Sequence, residues 1–432
     1  MFPMLEIYFE TYGCTANQNS TEIMKGLISQ AKLNITKNIN FADIIIINSC
    51  IVKEPTQEKI QRKIKDLLKK NKKIILTGCM PKLNREKLQH QNLFLLSTNN
   101  IKKINKLIQD IKDQTYDENK YLTSTFEIKS NLPKISNGKT IGINQISEGC
   151  LGACTYCITR LAKGKLYSYP QNEILQSIKN DLNSGCKEIW ITSQDNASYG
   201  NDKKKYLLPD LLKKILKNKK IFFIRLGMMN PNNILKILPK LIRIYKDKKI
   251  FKFLHIPIQS GSNKILKSMN RKYTKSQFLK IIKTFRSEFS EISIASDIIV
   301  GYPGETQKDF NETCNLIQKI KPEILNVNKF WPRPGTPAEK LKQISPKIRS
   351  ERAAKLLKLH FEICKQNQKK YLNTEHKVVV DKKGFENTWL AKNENYKLFA
   401  IQSNKKLLGK IINVKVKQCT PHYLICEEIV NE

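Results

Sequence analysis

The string EGCLGACTYC at 148–157 sets three thiols, Cys150, Cys154 and Cys157, on one short loop. Gly149, Gly152 and Ala153 keep that loop free of bulk, so its backbone is able to wrap tightly around something. Four thiolates close off an iron–sulfur cube or a zinc ion, whereas three leave one metal corner open. A zinc knuckle needs a fourth ligand, and no His or Cys follows within easy reach of Cys157. The loop comes directly after an apolar run, 141–147, that reads as the first strand of a βα series.

Further strand candidates lie at 188–193, 221–226, 251–257, 292–299 and 324–329. Helical patterns separate them at 172–184, 207–217, 232–245, 275–287 and 306–320. Six βα units are too few for a closed eightfold barrel, so residues 139–370 read as an open, partial (β/α)6 barrel. Function in such barrels sits at the C-terminal ends of the strands, which is where the three cysteines fall. Residues 331–370 form a closing passage, with Pro332, Pro334 and Pro337 followed by a helix over Pro346–Lys369. Polar strings at the later strand ends hold Gln194 and Asp195, then Arg225, then His255, Gln259, Ser260 and Arg271, then Asp297 and Glu305, then Arg333. His255 also reads as a core histidine, and Asp297 and Glu305 as helix caps.

Residues 1–112 alternate strand and helix on a smaller scale. Apolar runs at Leu5–Phe9, Ile44–Ile47 and Ile74–Leu76 read as buried parallel strands, with helical patterns near 18–30, 56–69 and 100–111. This is a small doubly wound α/β domain. Cys14, Cys50 and Cys79 each sit just past one strand, at the edge where open parallel sheets bind ligands, so the three are placed to converge. Glycines precede Cys14 and Cys79, which permits close backbone approach. Buried packing is the alternative for such cysteines, and it is the reading for Cys186, Cys314, Cys364, Cys419 and Cys426, which show no metal spacing. Residues 113–138 are polar and aperiodic and read as a linker. From 371 to 432, short β runs such as HKVVVD and GKIINVKVKQC alternate with polar turns, the pattern of a small OB-like β-barrel.

Composition narrows the setting. No run approaches the length of a membrane span, and Glu6 and Glu10 interrupt the apolar start, so no signal peptide is expected. Eleven cysteines without a disulfide framework suit a reducing cytoplasm. A formal net charge of +39 suits a polyanion such as nucleic acid. Nearly all of that charge is Lys, in a chain also rich in Ile and Asn, so part of it reflects composition spread over every solvated face.

Cys-x3-Cys-x2-Cys with Tyr156 before the last cysteine resembles the signature of radical S-adenosylmethionine (SAM) enzymes. TYGCTANQNS, INSCIV, TGCMP, IPIQSGS, IVGYPGET and RPGTPA extend the resemblance over nearly the whole chain, to the methylthiotransferases with a C-terminal TRAM-type barrel. EGCLGACTYCITRLAKGKL resembles the archaeal and eukaryotic branch acting on N6-threonylcarbamoyladenosine in tRNA. Two departures are Lys163, where Arg is common, and Trp331.

The resemblance implies two [4Fe–4S] clusters, one on Cys150, Cys154 and Cys157 and one on Cys14, Cys50 and Cys79. The open iron of the first binds SAM and the second carries the sulfur to be inserted. SAM is used twice, to methylate that sulfur and to supply the 5′-deoxyadenosyl radical. The product carries a methylthio group at carbon 2 of the adenine at tRNA position 37. Tyr156, Gln194, Asp195, Arg225 and Gln259 are candidates for holding SAM, which needs donors for its carboxylate and acceptors for its amino group. The implied partners are tRNA and an external low-potential electron donor, with a cytoplasmic, membrane-free monomer expected and the β-barrel gripping RNA. Other readings are a different radical SAM modification of RNA or protein, and a metal-stabilised RNA-binding protein without catalysis.

Overall fold

The isoleucine run Ile44–Ile47 explains the first unit. In a strand, alternate side chains face opposite ways, so a run apolar at every position has to be covered on both faces. Ile44 and Ile46 pack with Ile23, Met24 and Ile28 of the helix Thr15–Gln30. Ile45 and Ile47 pack with Ile60, Ile64 and Leu67 of the helix Glu54–Lys69. The computed structural model describes residues 5–83, 88–136, 138 and 140–429. Here β1 (Glu6–Thr11), β2 (Asn34–Ile35), β3 (Ile44–Ser49), β4 (Lys73–Gly78) and β5 (Leu93–Leu95) form a parallel sheet in the order β2-β1-β3-β4-β5. The sequence reading has three of these strands; β2 and β5, two and three residues long, are too short to carry a periodic signal.

The stretch 113–136 is a packed connector rather than a free linker. It holds a helical turn, Glu118–Tyr121, whose Tyr121 is buried and donates to Asp110. Further on, Lys129 is buried, and the Ile135 N–H donates to Glu22 O of the first helix.

The central unit has six parallel strands in chain order. These are β6 (Ile141–Gln145), β9 (Glu188–Thr192), β10 (Phe223–Leu226), β11 (Phe253–His255), β12 (Ser293–Val300) and β13 (Ile324–Lys329). A bridge between Ile224 and Ile250 joins the two three-stranded halves. Helices such as Gln171–Asn183, Pro231–Tyr245 and Gln307–Ile320 cover the outside. Two short strands, β7 (Ser147–Glu148) and β8 (Tyr167–Ser168), pair antiparallel across the base of the cysteine loop. The first strand therefore stops before position 147 and the chain re-pairs to clamp the loop. The closing helix runs Pro346–Gln368.

The tail folds as a closed barrel of β14 (Glu375–Lys383), β15 (Thr388–Lys392), β16 (Leu398–Gln402), β17 (Ile411–Cys419) and β18 (Leu424–Glu428). Along β17, Val414 and Val416 point into the barrel while Lys415 and Lys417 stay exposed, the alternation expected of a half-solvated strand. The turn after β15 reaches the starts of the central strands. Lys252 N donates to Glu394 O, Ser293 Oγ donates to Asn395 O, and Lys392 and Lys397 pair with Glu188 and Glu323. This barrel thus closes the N-terminal end of the central strands and leaves the C-terminal end to the cysteines.

Candidate active site

The loop 149–166 is held from several sides. Cys150 N donates to Gly164 O, Thr155 N donates to Met269 O, Asn270 Nδ2 donates to Ala153 O, and Ala338 N donates to Thr155 O. Gly152 lies between sulfurs: a Cβ there would stand 3.2 Å from Cys150 Sγ and 3.7 Å from Cys154 Sγ. Its N–H donates to Cys150 Sγ at 3.2 Å. Burial pushes the Cys150 thiol up to about 12, with Asp195 adding to the effect and the Gly152 N–H opposing it. Burial raises Cys157 as well. Arg271 Nη1 donates to Cys154 Sγ at 3.1 Å and Nε donates to Tyr273 Oη at 3.0 Å. Burial alone would lower this guanidinium, but Tyr156, Tyr273 and Cys154 outweigh it, so it stays charged.

The other trio is assembled by three strand ends. Gly13 and Gly78, at φ +99° and +90°, turn the chain just before Cys14 and Cys79. A Cβ on Gly13 would stand 2.8 Å from Cys50 Cβ, and one on Gly78 would stand 2.3 Å from Ser49 O. Both positions therefore require glycine for conformation and for space. Asn17 Nδ2 donates to Tyr12 O and Ser49 O, and Cys79 N donates to Ser49 O, tying the loops together. Burial takes Cys79 up to about 12 and also raises Cys50; each thiol feels Cys14.

Between the trios lies a buried charge cluster. Lys129 Nζ and Lys163 Nζ reach the two oxygens of Glu148 at 2.5 and 2.9 Å, all three side chains at most 1% exposed. Tyr169 Oη donates to the same carboxylate. Burial alone would raise the Glu148 carboxyl, but the two lysines hold it down at about 2. Lys163 also lowers Cys79 electrostatically, so this ammonium, six residues past Cys157, belongs to the N-terminal trio as much as to its own loop. Ile158 and Ala162 of that loop pack into the core beneath β3 and β4.

The sequence-predicted residues divide. Asp195 accepts from Asn230 N and Nδ2, from Asn233 Nδ2 and from Ala197 N, and its charge reaches Cys150. Asn230 in turn accepts from Arg271, completing a chain from Asp195 to Cys154. Among the described residues, the buried Oε1 of Gln194 has no hydrogen-bond partner, nor do the Oγ of Ser193 and the Oδ1 of Asn196 beside it. Tyr156 is half-buried, and Arg271 Nη1 reaches its Oη at 3.5 Å. Gln259, at φ +71°, lines a cavity with Tyr156 and Cys157. Arg225 is not brought to the cysteine loop: its guanidinium packs over Trp190, Phe253 and the C-terminal barrel's Tyr396. His255 pairs with Asp297 at 2.8 Å, and Glu305 accepts from Gly301 N and Arg352, leaving Thr306 to cap the following helix. Of the remaining cysteines, Cys186, Cys314, Cys364 and Cys426 are buried and Cys419 is half-buried.

The donor set suits iron–sulfur chemistry. Buried thiols with raised pKa values give up their protons when a cation arrives, because a coordinating thiol is deprotonated outright. Among the described residues, no three of His, Cys, Asp or Glu surround one point at the spacing a single ion requires. A cubane is less demanding in this respect, since it spreads its thiolates over separate corners. The orphaned acceptors at Gln194 and Asn196 are the kind of groups a SAM amino end requires.

The Radical SAM superfamily matches residues 144–317, the uncharacterized protein family UPF0004 matches 6–96, and the TRAM domain matches 369–427. A Pyrococcus horikoshii protein described as "Probable threonylcarbamoyladenosine tRNA methylthiotransferase" is 38% identical over 99% of this chain and 100% of its own length. The Homo sapiens threonylcarbamoyladenosine tRNA methylthiotransferase is 32% identical over 97% of this chain and 73% of its own. Among solved structures, the radical SAM methyltransferase TsrM from Kitasatospora setae, with cobalamin and a [4Fe-4S] cluster bound, aligns at a TM-score of 0.56 and 12% identity. That alignment covers 78% of this chain and 77% of TsrM.

Proposed function

The chain belongs to the threonylcarbamoyladenosine tRNA methylthiotransferase family, and we propose that it places a methylthio group on carbon 2 of N6-threonylcarbamoyladenosine at tRNA position 37. It is a radical SAM enzyme that methylthiolates tRNA, and it works with an iron–sulfur cluster and SAM. In the proposed arrangement Cys150, Cys154 and Cys157 hold one [4Fe–4S] cluster, and Cys14, Cys50 and Cys79 hold a second. Together with SAM, these groups supply a radical that takes hydrogen from the substrate and a sulfur that replaces it.

The protein's part is position, charge and exclusion of water. Arg271, fixed by Asn230 and Asp195, donates to Cys154 Sγ and holds a positive charge beside the loop. Lys163 sets a buried positive charge near Cys79 and Cys14. Gln194 offers SAM an unpaired acceptor, and Tyr156 and Gln259 line the approach. The exposed lysines of the C-terminal barrel, among them Lys377, Lys382, Lys415 and Lys417, offer charge to the RNA backbone. No described helix is long and apolar enough to cross a membrane. A monomer served by an external low-potential reductant completes the proposal.

One observation carries this reading. A cavity is lined both by Val52 and Lys53, just past Cys50, and by Tyr156 and Cys157, which supports a reading in which the loops that carry the two trios work on one substrate. Iron content and Mössbauer spectra of anaerobically reconstituted protein test the two-site proposal. Wild type should hold about eight irons, and a Cys14→Ala/Cys50→Ala/Cys79→Ala variant about four. Four in both proteins would remove the second cluster from the proposal. Nucleoside mass spectrometry of treated tRNA then identifies the product.

A further inference from the structure

The shared cavity has a volume of about 220 Å3, below the roughly 300–1,000 Å3 of drug-sized sites, and so fits a small group. Its charge is lopsided. Lys53, Lys329 and Arg333 line it on the cationic side and Asp297 alone on the acidic side. Asp297 is already matched: its Oδ2 lies 2.8 Å from His255 Nε2, and its Oδ1 accepts from Asn326 Nδ2 at 2.8 Å. The three cations outnumber this acid, which also feels Lys53 through space. Lys53 is exposed, and Lys329 Nζ makes a 3.4 Å contact with Ser350 Oγ. Arg333 is 4% exposed and spends Nη2 on Ile51 O and Gln57, while its buried Nε has no partner among the described residues. Glu54 lies near Arg333 but does not line the cavity. A buried guanidinium with an unpaired donor, beside two further cations, suits an anion. Trp331 adds a flat surface on the same wall, with Lys329 Nζ 5.4 Å from its ring centre.

We propose that this cavity is the subsite for the carboxylate-bearing substituent of the target base, with Lys53, Lys329 and Arg333 taking the carboxylate and Trp331 packing on the attached base. The assignment rests on the tRNA reading above and narrows it: an uncharged isoprenoid substituent would leave the three cations unpaired. The pocket suits a carboxylate because its own acid is already engaged by His255 and Asn326. Arg333 also pins the Cys50 loop to the central barrel, so a bound carboxylate would sit where both cysteine loops meet.

The test uses full-length protein and three anticodon stem-loops that differ only at position 37: unmodified adenosine, N6-threonylcarbamoyladenosine, and the methyl ester of the latter. Binding is read by fluorescence anisotropy. Wild type should prefer the free acid over the ester by roughly tenfold, as one or two charge-assisted hydrogen bonds imply. Lys53→Ala/Lys329→Ala should cut that preference to about twofold or less and leave the unmodified stem-loop's affinity unchanged; Lys53→Arg/Lys329→Arg should retain it. A preference that survives the alanine pair overturns the subsite alone. Equal losses for all three RNAs assign the lysines to backbone phosphates and also overturn it. A wild type that binds the three RNAs equally overturns the substrate reading, and the subsite with it.

Discussion

The two cysteine trios are built in opposite ways. Cys150, Cys154 and Cys157 share a single loop, and their spacing is written in ten consecutive residues. Cys14, Cys50 and Cys79 come from the ends of β1, β3 and β4 and meet only because those strands pair in one register. A one-residue slip of β4 against β3 would carry Cys79 away from Cys50, since strand side chains alternate faces. The first site is therefore a property of a motif and the second a property of a folded sheet. Local sites tolerate change elsewhere in the molecule, whereas convergent ones inherit every weakness of the packing beneath them.

The largest effect separates the trios by the step each supports. Cys150→Ala/Cys154→Ala/Cys157→Ala should reduce SAM cleavage to background in reconstituted, reduced protein, read as 5′-deoxyadenosine by chromatography. Cys14→Ala/Cys50→Ala/Cys79→Ala should keep that cleavage and form no methylthio product. If both variants lose SAM cleavage equally, the division of labour between the sites is wrong.

Much of the architecture is legible in the sequence, and the boundary of what is legible follows the same contrast. The thiol triplet needs no fold to be read. The N-terminal trio needs only three strands and the rule that parallel sheets bind ligands at their carboxyl edge. What remains unread is whatever depends on long-range pairing. Lys129 is one lysine in an aperiodic polar stretch, and nothing local says that it turns inward to meet Glu148. Lys163 is visible only as a departure from a familiar pattern, yet it bridges the two sites. Arg271 stands 117 residues from Cys154, with which it hydrogen-bonds; the sequence offers it as one polar residue among several past the fourth strand, and nothing local pairs it with that thiol. Arg225 shows the converse error, since a strand-end position alone does not place a side chain at the cysteines.

A smaller effect tests the charge cluster that joins the sites. Glu148 compensates two fully buried lysines, so Glu148→Gln leaves at least one buried charge unpaired, a loss of about 3–5 kcal/mol in comparable pairs. Urea unfolding of the full chain should show a lower midpoint with an unchanged slope. Replacing all three charges, Glu148→Leu/Lys129→Met/Lys163→Met, should recover most of the loss, because the penalty lies in the unpaired charge rather than in the missing contact. That triple variant also isolates function. If it folds and still loads both trios equally, Lys163 does not serve the N-terminal site.

The smallest effect sets one glycine against another. Gly13→Ala demands φ +99° of an alanine and drives its Cβ to 2.8 Å from Cys50 Cβ, so the strain falls on the loop that delivers a ligand. Roughly 1–3 kcal/mol of such strain is tolerable for a folded domain but is enough to hold Cys14 and Cys50 apart. Gly152→Ala meets only sulfur, at 3.2 and 3.7 Å, in a loop pinned by hydrogen bonds on both sides. Iron per chain should fall toward half in both variants, by different routes. Gly13→Ala should spare SAM cleavage and lose methylthio product, whereas Gly152→Ala should weaken SAM cleavage itself. Because neither substitution removes a cysteine, the pair asks whether loop geometry alone sorts the two sites. A Gly13→Ala protein that loses SAM cleavage would mean that the N-terminal sheet, through Ile158 and Ala162, also sets the geometry of the loop taken here as local.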